Sequence, residues 1–309
     1  MPSATLLLPA AARLIGQGLP ASVAKALGKA DREKQALGET AQLRRHFQLI
    51  PDHWPVAALT RALDAGDSAG ATWLRADPAF IRPDINGARM LSHGEALELT
   101  AEDAAQLLPA LKPLFGDAGF PIDAPHPSRW YLSLPAEAKL PVFAPPEDVL
   151  GDDLFAHLPQ GETGRRWRAL LTEAQIILHA HPWNAQRLGQ GKAAVNSLWF
   201  WGAGRLPDFV RTPFKQVKSN EPLLRALAKA AGVAVGEVGE DVDALVDLRH
   251  LRSLETLGRD ALQPLCDEVA AGRLHALHLD FEDGMRFVLN RGQRWRLWRR
   301  PLTTLASNA

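Results

Sequence analysis

The stretch HPWNAQRLGQGKAAVNSLWFWGAG, residues 181–204, gathers Asn184, Arg187, Lys192 and Asn196 with three Trp and several Gly. A phosphate ester is held by guanidinium forks, an ammonium point charge, amide donors and backbone N–H groups left open by Gly. That set lies here within one loop and the start of one strand. Trp199 and Trp201 are two apart, so on a strand they share a face and form an apolar wall, with Phe200 on the other side. Arg75 in GATWLRADPAFIRPD and Arg129 in PSRWYLSLP would bring two more guanidinium groups to the same place. Three such groups cannot share a desolvated cleft unless carboxylates or a bound anion offset them. Asp77, two residues from Arg75 on the same strand face, is the nearest internal partner. The same residues also suit a purely architectural role, with the Asn side chains tying down loop backbone, Arg187 in an ion pair and the Trp pair packing a sheet.

Groups for covalent or metal chemistry are scarcer. Ser22, Ser68 and Ser219 have no neighbouring base and no flanking pattern of an activated nucleophile. His278 and Asp280 alternate on one face of HALHLDFEDG and could touch a cation, but two ligands do not make a two-metal site. The expected reading is the polar face of a hairpin, with no metal and no cofactor. The lone Cys266 excludes an internal disulfide and points to a reducing, cytoplasmic setting.

These residues must be positioned by elements that the pattern outlines. The apolar run at Thr5–Leu8 reads as a buried first strand, and a helix is expected over residues 21–34. Two strands and a helix capped by Thr100 with Asp103 follow, then PSRWYLSLP, a Pro-rich bridge at LPVFAPPEDVLGDD and a helix at residues 164–179. NSLWFWG reads as a buried strand, EPLLRALAKAAG as a helix ended by Gly232, and HALHLDF and MRFVLNR as a hairpin turned at EDG. The expected organisation is a three-layer α/β core carrying an inserted α+β subdomain. Residues 1–50 would supply its first strand and helix, 51–145 the insertion, and 146–309 the rest of the core, with the 197–201 strand beside Leu6–Leu8.

Composition agrees with a globular chain: 309 residues, 46% hydrophobic, with 35 basic against 35 acidic side chains. That balance argues against nucleic-acid and membrane partners. The single basic cluster, RGQRWRLWRR at residues 291–300, reads as the exposed face of a terminal strand.

The 181–204 stretch resembles the H-P-x-N-x-x-R-x-x-G-x-x-x-x-N-x-x-W-x-W-G-x-G pattern of archaeal-type cofactor-independent phosphoglycerate mutases, relatives of alkaline phosphatase. It is still more similar to the shorter bacterial RpfE-type regulatory proteins. GDSAGATWLRADPAF, PSRWYLSL and KQVKSNEPLLRALAKAAG follow the same order as mutase segments. The resemblance implies a reduced alkaline-phosphatase-like core and a ligand set of Arg75, Arg129, Asn184, Arg187, Lys192, Asn196, Trp199 and Trp201. It also implies a serine nucleophile and two divalent metals near the end of the first strand and near the C-terminus. Here that strand ends in Pro9 and Ala10, and the first carboxylate is Asp31. The expectation is therefore a catalytically degenerate relative with a regulatory role, binding a small phosphorylated or acidic metabolite or a protein partner. An active metal-dependent mutase or phosphatase, or a protein-interaction module, are the alternatives.

Overall fold

The run TLLL at residues 5–8 offers no polar face to water, and it becomes the middle of a mainly parallel sheet. The computed structural model describes residues 2–305 apart from 17, 86, 238, 240, 241 and 303. Its chain opens with β1 (Ser3–Leu8), α1 (Ala21–Lys29), β2 (Asp31–Lys34), α2 (Glu39–Arg44) and β3 (Gln48–Ile50). Next come α3 (Val56–Asp64), β4 (Thr72–Asp84), β5 (Gly87–His93), α4 (Ala101–Asp117), β6 (Ile122–His126) and β7 (Arg129–Leu134). They are followed by α5 (Pro146–Val149), α6 (Gly161–His179), α7 (Trp183–Gly189) and β8 (Ser197–Gly204). The last part holds β9 (Phe209–Arg211), β10 (Gln216–Lys218), α8 (Pro222–Ala230), β11 (Ala234–Val235) and β12 (Ala244–Asp247). It ends with α9 (Leu254–Thr256), α10 (Gln263–Ala271), β13 (Ala276–Phe281) and β14 (Met285–Asn290). The chain is an α/β protein, and its contacts divide it into two units: residues 1–50 with 209–309, and Pro51–Asp208.

In the first unit the sheet order is β11-β10-β12-β1-β13-β14-β2. Strands from β11 to β13 are parallel, while β14 and β2 run antiparallel at one edge. A strand with parallel partners on both sides and covered faces needs apolar residues throughout, which explains why β1 does not alternate. Leu6, Leu8, Leu277, Leu279 and Phe281 pack on α1 and α10 through Val23, Leu27, Cys266 and Val269. On the opposite face Leu7 pairs in register with both Asp247 and Asp280. The hairpin at EDG forms as expected, with Gly284 at φ +83° where a side chain would collide with the Gln35 carbonyl.

The second unit is built on β4, whose 13 residues pair with β7 near its start, β5 near its end and β8 along its middle, all antiparallel. Leu74, Ala76, Trp130, Leu132, Leu198 and Phe200 form one core with α4 and α6. Phe200 sits in an aromatic cage, 6.1 Å from Phe115, 5.3 Å from Trp167 and 6.3 Å from Phe143 between centroids. Trp199 faces the other way, against Ala79, Met90 and Val149, so the expected alternation holds. Thr100 and Asp103 form the expected capping box on α4.

Four expectations are corrected. The inserted unit ends at 208, not 145, because β8 hydrogen-bonds to β4 and α6 shares the core of α4, which ties 146–208 to the insertion. For the same reason β8 and β1 belong to different sheets. The helix over 21–34 stops at Lys29, and residues 31–34 become a strand because the free edge of β14 pairs with them. The basic cluster is not a strand: residues 291–295 turn into a 3-10 helix opened by the Asn290–Gln293 capping box.

Candidate functional site

In open α/β sheets ligands bind beyond the carboxyl ends of the parallel strands, where their loops diverge. In this chain that position holds a cleft of about 710 Å³ at the ends of β10 and β12. Asp247 closes β12, and the turn that follows brings Arg249 back onto it through two bonds of 2.8 Å. The same guanidinium reaches Glu39 at the start of α2 at 2.7 Å and lies 3.7 Å from Glu221. Ser219 donates to Asp247 at 2.8 Å, and Glu221 caps α8 by accepting from the backbone N–H groups of Leu223 and Leu224. Arg13, Lys218, His250 and Arg252 also line the cleft, with the carboxylates of Glu237 and Glu282 among them.

The electrostatics of this cluster are uneven. Burial drives the Glu221 carboxyl above the usual carboxylate range, with Arg249 and the two N–H groups opposing that drift and Glu39 adding to it. Burial also works against charge on Asp247, yet its bonds from Arg249 and Ser219 hold it below the ordinary range. Burial opposes charge on Arg249 too, but its surrounding carboxylates hold its pKa above the ordinary arginine value.

A second carboxylate flanks β1 on its other side. Asp280 pairs across from Leu7 in β13 and takes two bonds from Arg45, 2.9 and 2.6 Å, with His46 at 2.7 Å and Arg286 at 3.6 Å. Burial would raise its pKa, and His46 and Arg45 bring it down. His278, two residues earlier on the same face, is half-buried, and burial together with Arg286 and His46 pushes its pKa down. Asp247 and Asp280 thus sit on one face, roughly 10 Å apart across two strand spacings. Each already holds a guanidinium. Among the described residues no group of three or more His, Cys, Asp or Glu is arranged to hold a metal ion. The donor set does not fit the two-metal centre that the resemblance implies.

All eight side chains expected to bind a ligand lie in the 51–208 unit, and each polar group but Lys192 is bonded within the chain. Arg75 forks onto Asp77 at 2.7 and 2.8 Å, donates to Thr60 at 3.2 Å and lies about 5 Å from the Trp201 and Tyr131 rings. Arg129 forks onto Asp64, which also accepts from Tyr131, and pairs with Glu95. Trp201 donates to Asp77 and Trp199 to the Ala144 carbonyl. Away from these bonds, Asn184 bridges the Leu178 and Val195 carbonyls and the Val195 N–H, while Asn196 bonds both backbone groups of Ile81. Arg187 donates to the Ala193 and Leu97 carbonyls and lies 2.8 Å from Asp103. Lys192 is half-buried after the α7 turn. The structure sets Arg75 between the Trp201 and Tyr131 rings, with Arg129 joined to Tyr131 through Asp64, and gathers Asn184, Arg187 and Asn196 around the α7–β8 turn, with no hydrogen bond joining the two groups among the described residues.

Sequence reasoning missed Asp247, Arg249, Glu39 and Glu221. VDALVDLRH does carry a signal, a short apolar run ended by an Asp, and so does Glu before Pro in KSNEP. What neither signal gives is the sheet order that sets Asp247 beside β1.

No protein-family profile matches this chain. Over 101 residues it is 37% identical to the 2,3-bisphosphoglycerate-independent phosphoglycerate mutase of Methanosarcina barkeri, covering 30% of this chain and 25% of that one. Over 111 residues it is 33% identical to a probable enzyme of the same name from Geobacter sulfurreducens, covering 34% and 28%. The matches span about a quarter of the length of these relatives. Among solved structures, the cofactor-independent phosphoglycerate mutase of Thermoplasma acidophilum aligns over 94% of this chain and 89% of its own, at 16% identity and TM-score 0.44. A Pyrococcus horikoshii protein aligns over 93% and 87%, at 11% identity and TM-score 0.47. Over about a third of its length, then, the chain has phosphoglycerate-mutase-like relatives.

Proposed function

We propose that this protein is a catalytically degenerate phosphoglycerate-mutase-like protein that works by binding, in a regulatory role like that of the RpfE-type proteins it resembles. Its ligand is a small phosphorylated or acidic metabolite held in the cleft at the ends of β10 and β12. One observation carries this reading: Asp247 and Asp280, the two carboxylates flanking the end of β1, are each engaged by a half-buried guanidinium, Arg249 and Arg45. A fixed organic cation in that place compensates the carboxylates without offering the open coordination position that metal-assisted phosphoryl chemistry needs. The cleft rim supports an anionic ligand. The Lys218–Glu237 and Arg13–Glu282 pairs are solvent-exposed and worth little, so both basic groups can exchange a carboxylate for a phosphate. Among the described residues, Arg252 donates only to the Arg249 and Leu251 carbonyls.

Calorimetric titration with 3-phosphoglycerate and with inorganic phosphate tests this, alongside metal analysis of the purified protein. Saturable binding of the phosphoglycerate is expected, weakened at least about tenfold in a Lys218→Ala, Arg252→Ala double variant, in line with the loss of two charge-assisted contacts. Stoichiometric manganese or zinc with mutase turnover that chelation abolishes would overturn it.

A further inference from the structure

Residues 291–300 carry five Arg, two Trp and no acidic residue, in a chain whose total charge is zero. In this segment Trp295 is 68% exposed, Leu297 78% and Trp298 76%. They are not the loose side chains of a frayed end. Gln293 is buried and donates to Asp31 and to the Val288 carbonyl, and Leu302 donates its N–H to the Ala24 carbonyl. Gly28 lets the backbone at Arg300 lie directly on α1, where any side chain would collide with the Arg300 carbonyl. Lys29 donates to the Arg294 carbonyl, and Arg296 pairs with Asp31. The backbone is therefore fixed from inside, while two indoles and a leucine are held outward. Arg291, Arg294, Arg299 and Arg300 of the same segment are exposed and form no salt bridge among the described residues, although Arg299 adds to the field at Asp31 and Arg291 lies against Gly272.

We propose that this patch docks the protein onto the surface of an anionic lipid bilayer. Three large apolar side chains turned to water on an anchored segment mark an interaction surface. The four unpaired guanidinium groups select a negatively charged one. Indole rings partition to the headgroup boundary of a bilayer, where their ring is buried and their N–H stays wet. A leucine between them gains from the acyl region but offers nothing to a nucleobase. One face of Trp295 is moreover covered by the Arg294 guanidinium, 4.9 Å from the ring centroid, which leaves less of it for base stacking. No helix among the described residues is long and apolar enough to cross a membrane, and the contact proposed for this patch is a peripheral one. The neutral balance of the whole chain conceals this surface because membrane attraction acts within a Debye length of the charges concerned.

The test is flotation with vesicles of phosphatidylcholine alone and with 30 mol% phosphatidylglycerol, at low and high salt, reading tryptophan emission. Binding is expected only to the anionic vesicles, with a blue shift of emission and weakening at high salt. Trp295→Ala with Trp298→Ala should abolish it, and each of Arg294→Gln and Arg299→Gln should weaken it about fivefold. Because these side chains are exposed, the variants should melt like the parent protein, which separates loss of docking from loss of fold. Absence of anionic-vesicle binding by the parent, or binding that the Trp variant retains, overturns the proposal. So does emission quenching by a single-stranded oligonucleotide that competes with the vesicles, which would assign the patch to nucleic acid.

Discussion

A buried guanidinium is tolerated only beside acceptors and a counter-charge, and Arg187, 1% exposed, has both. Two carbonyls and the Asp103 carboxylate surround it, and Asp103 is itself held by the Thr100 N–H and the Trp183 indole. Burial would raise the Asp103 pKa, but these donors bring it down to about 2. A carboxyl whose folded pKa is depressed stabilises the fold above its unfolded value and loses that contribution as pH falls towards the folded one. The melting temperature should therefore drop between about pH 4 and pH 2, and Asp103→Asn should flatten that part of the profile. At neutral pH, Asp103→Ala should cost on the order of 3 kcal/mol in chemical denaturation, because it leaves the Arg187 charge buried and unpaired. Some of this was legible: Asp103 reads as a capping partner, and Asp77 reads as the partner of Arg75. The link from Asp103 to Arg187 was not, since nothing local connects α4 to the turn before β8.

At the scale of elements, β4 and β8 carry the second unit together, and the alternation of Trp199, Phe200 and Trp201 decides which core each ring enters. Phe200→Ala would open a void among Phe115, Phe143 and Trp167, and should cost about 3–5 kcal/mol in denaturant unfolding. That alternation was readable from two Trp two residues apart. The partner of the strand was not, because an apolar strand fits any covered sheet, and only its ladder to residues 73–79 distinguishes β4 from β1. The same ambiguity placed the end of the insertion at the Pro-rich bridge. There Val149 and the Trp199 bond to the Ala144 carbonyl in fact fasten the bridge to the unit.

For the whole molecule, the insertion leaves and rejoins the first unit through neighbouring residues, since β3 and β9 pair with Ile50 opposite Phe209. Residues 51–208 expressed alone should fold, with near-ultraviolet dichroism and a single cooperative melt. Joining Ile50 to Phe209 by a two- or three-residue turn should leave the first unit folded, as a hairpin of that geometry needs no more. Loss of cooperative melting in both fragments would contradict the division into two units. The sequence reading also began the insertion at residue 51, whereas it put the return at the Pro-rich bridge, short of residue 208.

The position of β1 also governs the order in which the protein can be made. Its two neighbours, β12 and β13, lie more than two hundred residues downstream, whereas every strand pairing of the inserted unit is closed by Gly204. During synthesis, β1 therefore emerges long before either of its partners. A nascent chain completes its middle while Thr5–Leu8 waits with both edges unpaired, a state that favours chaperone capture or aggregation over spontaneous closure.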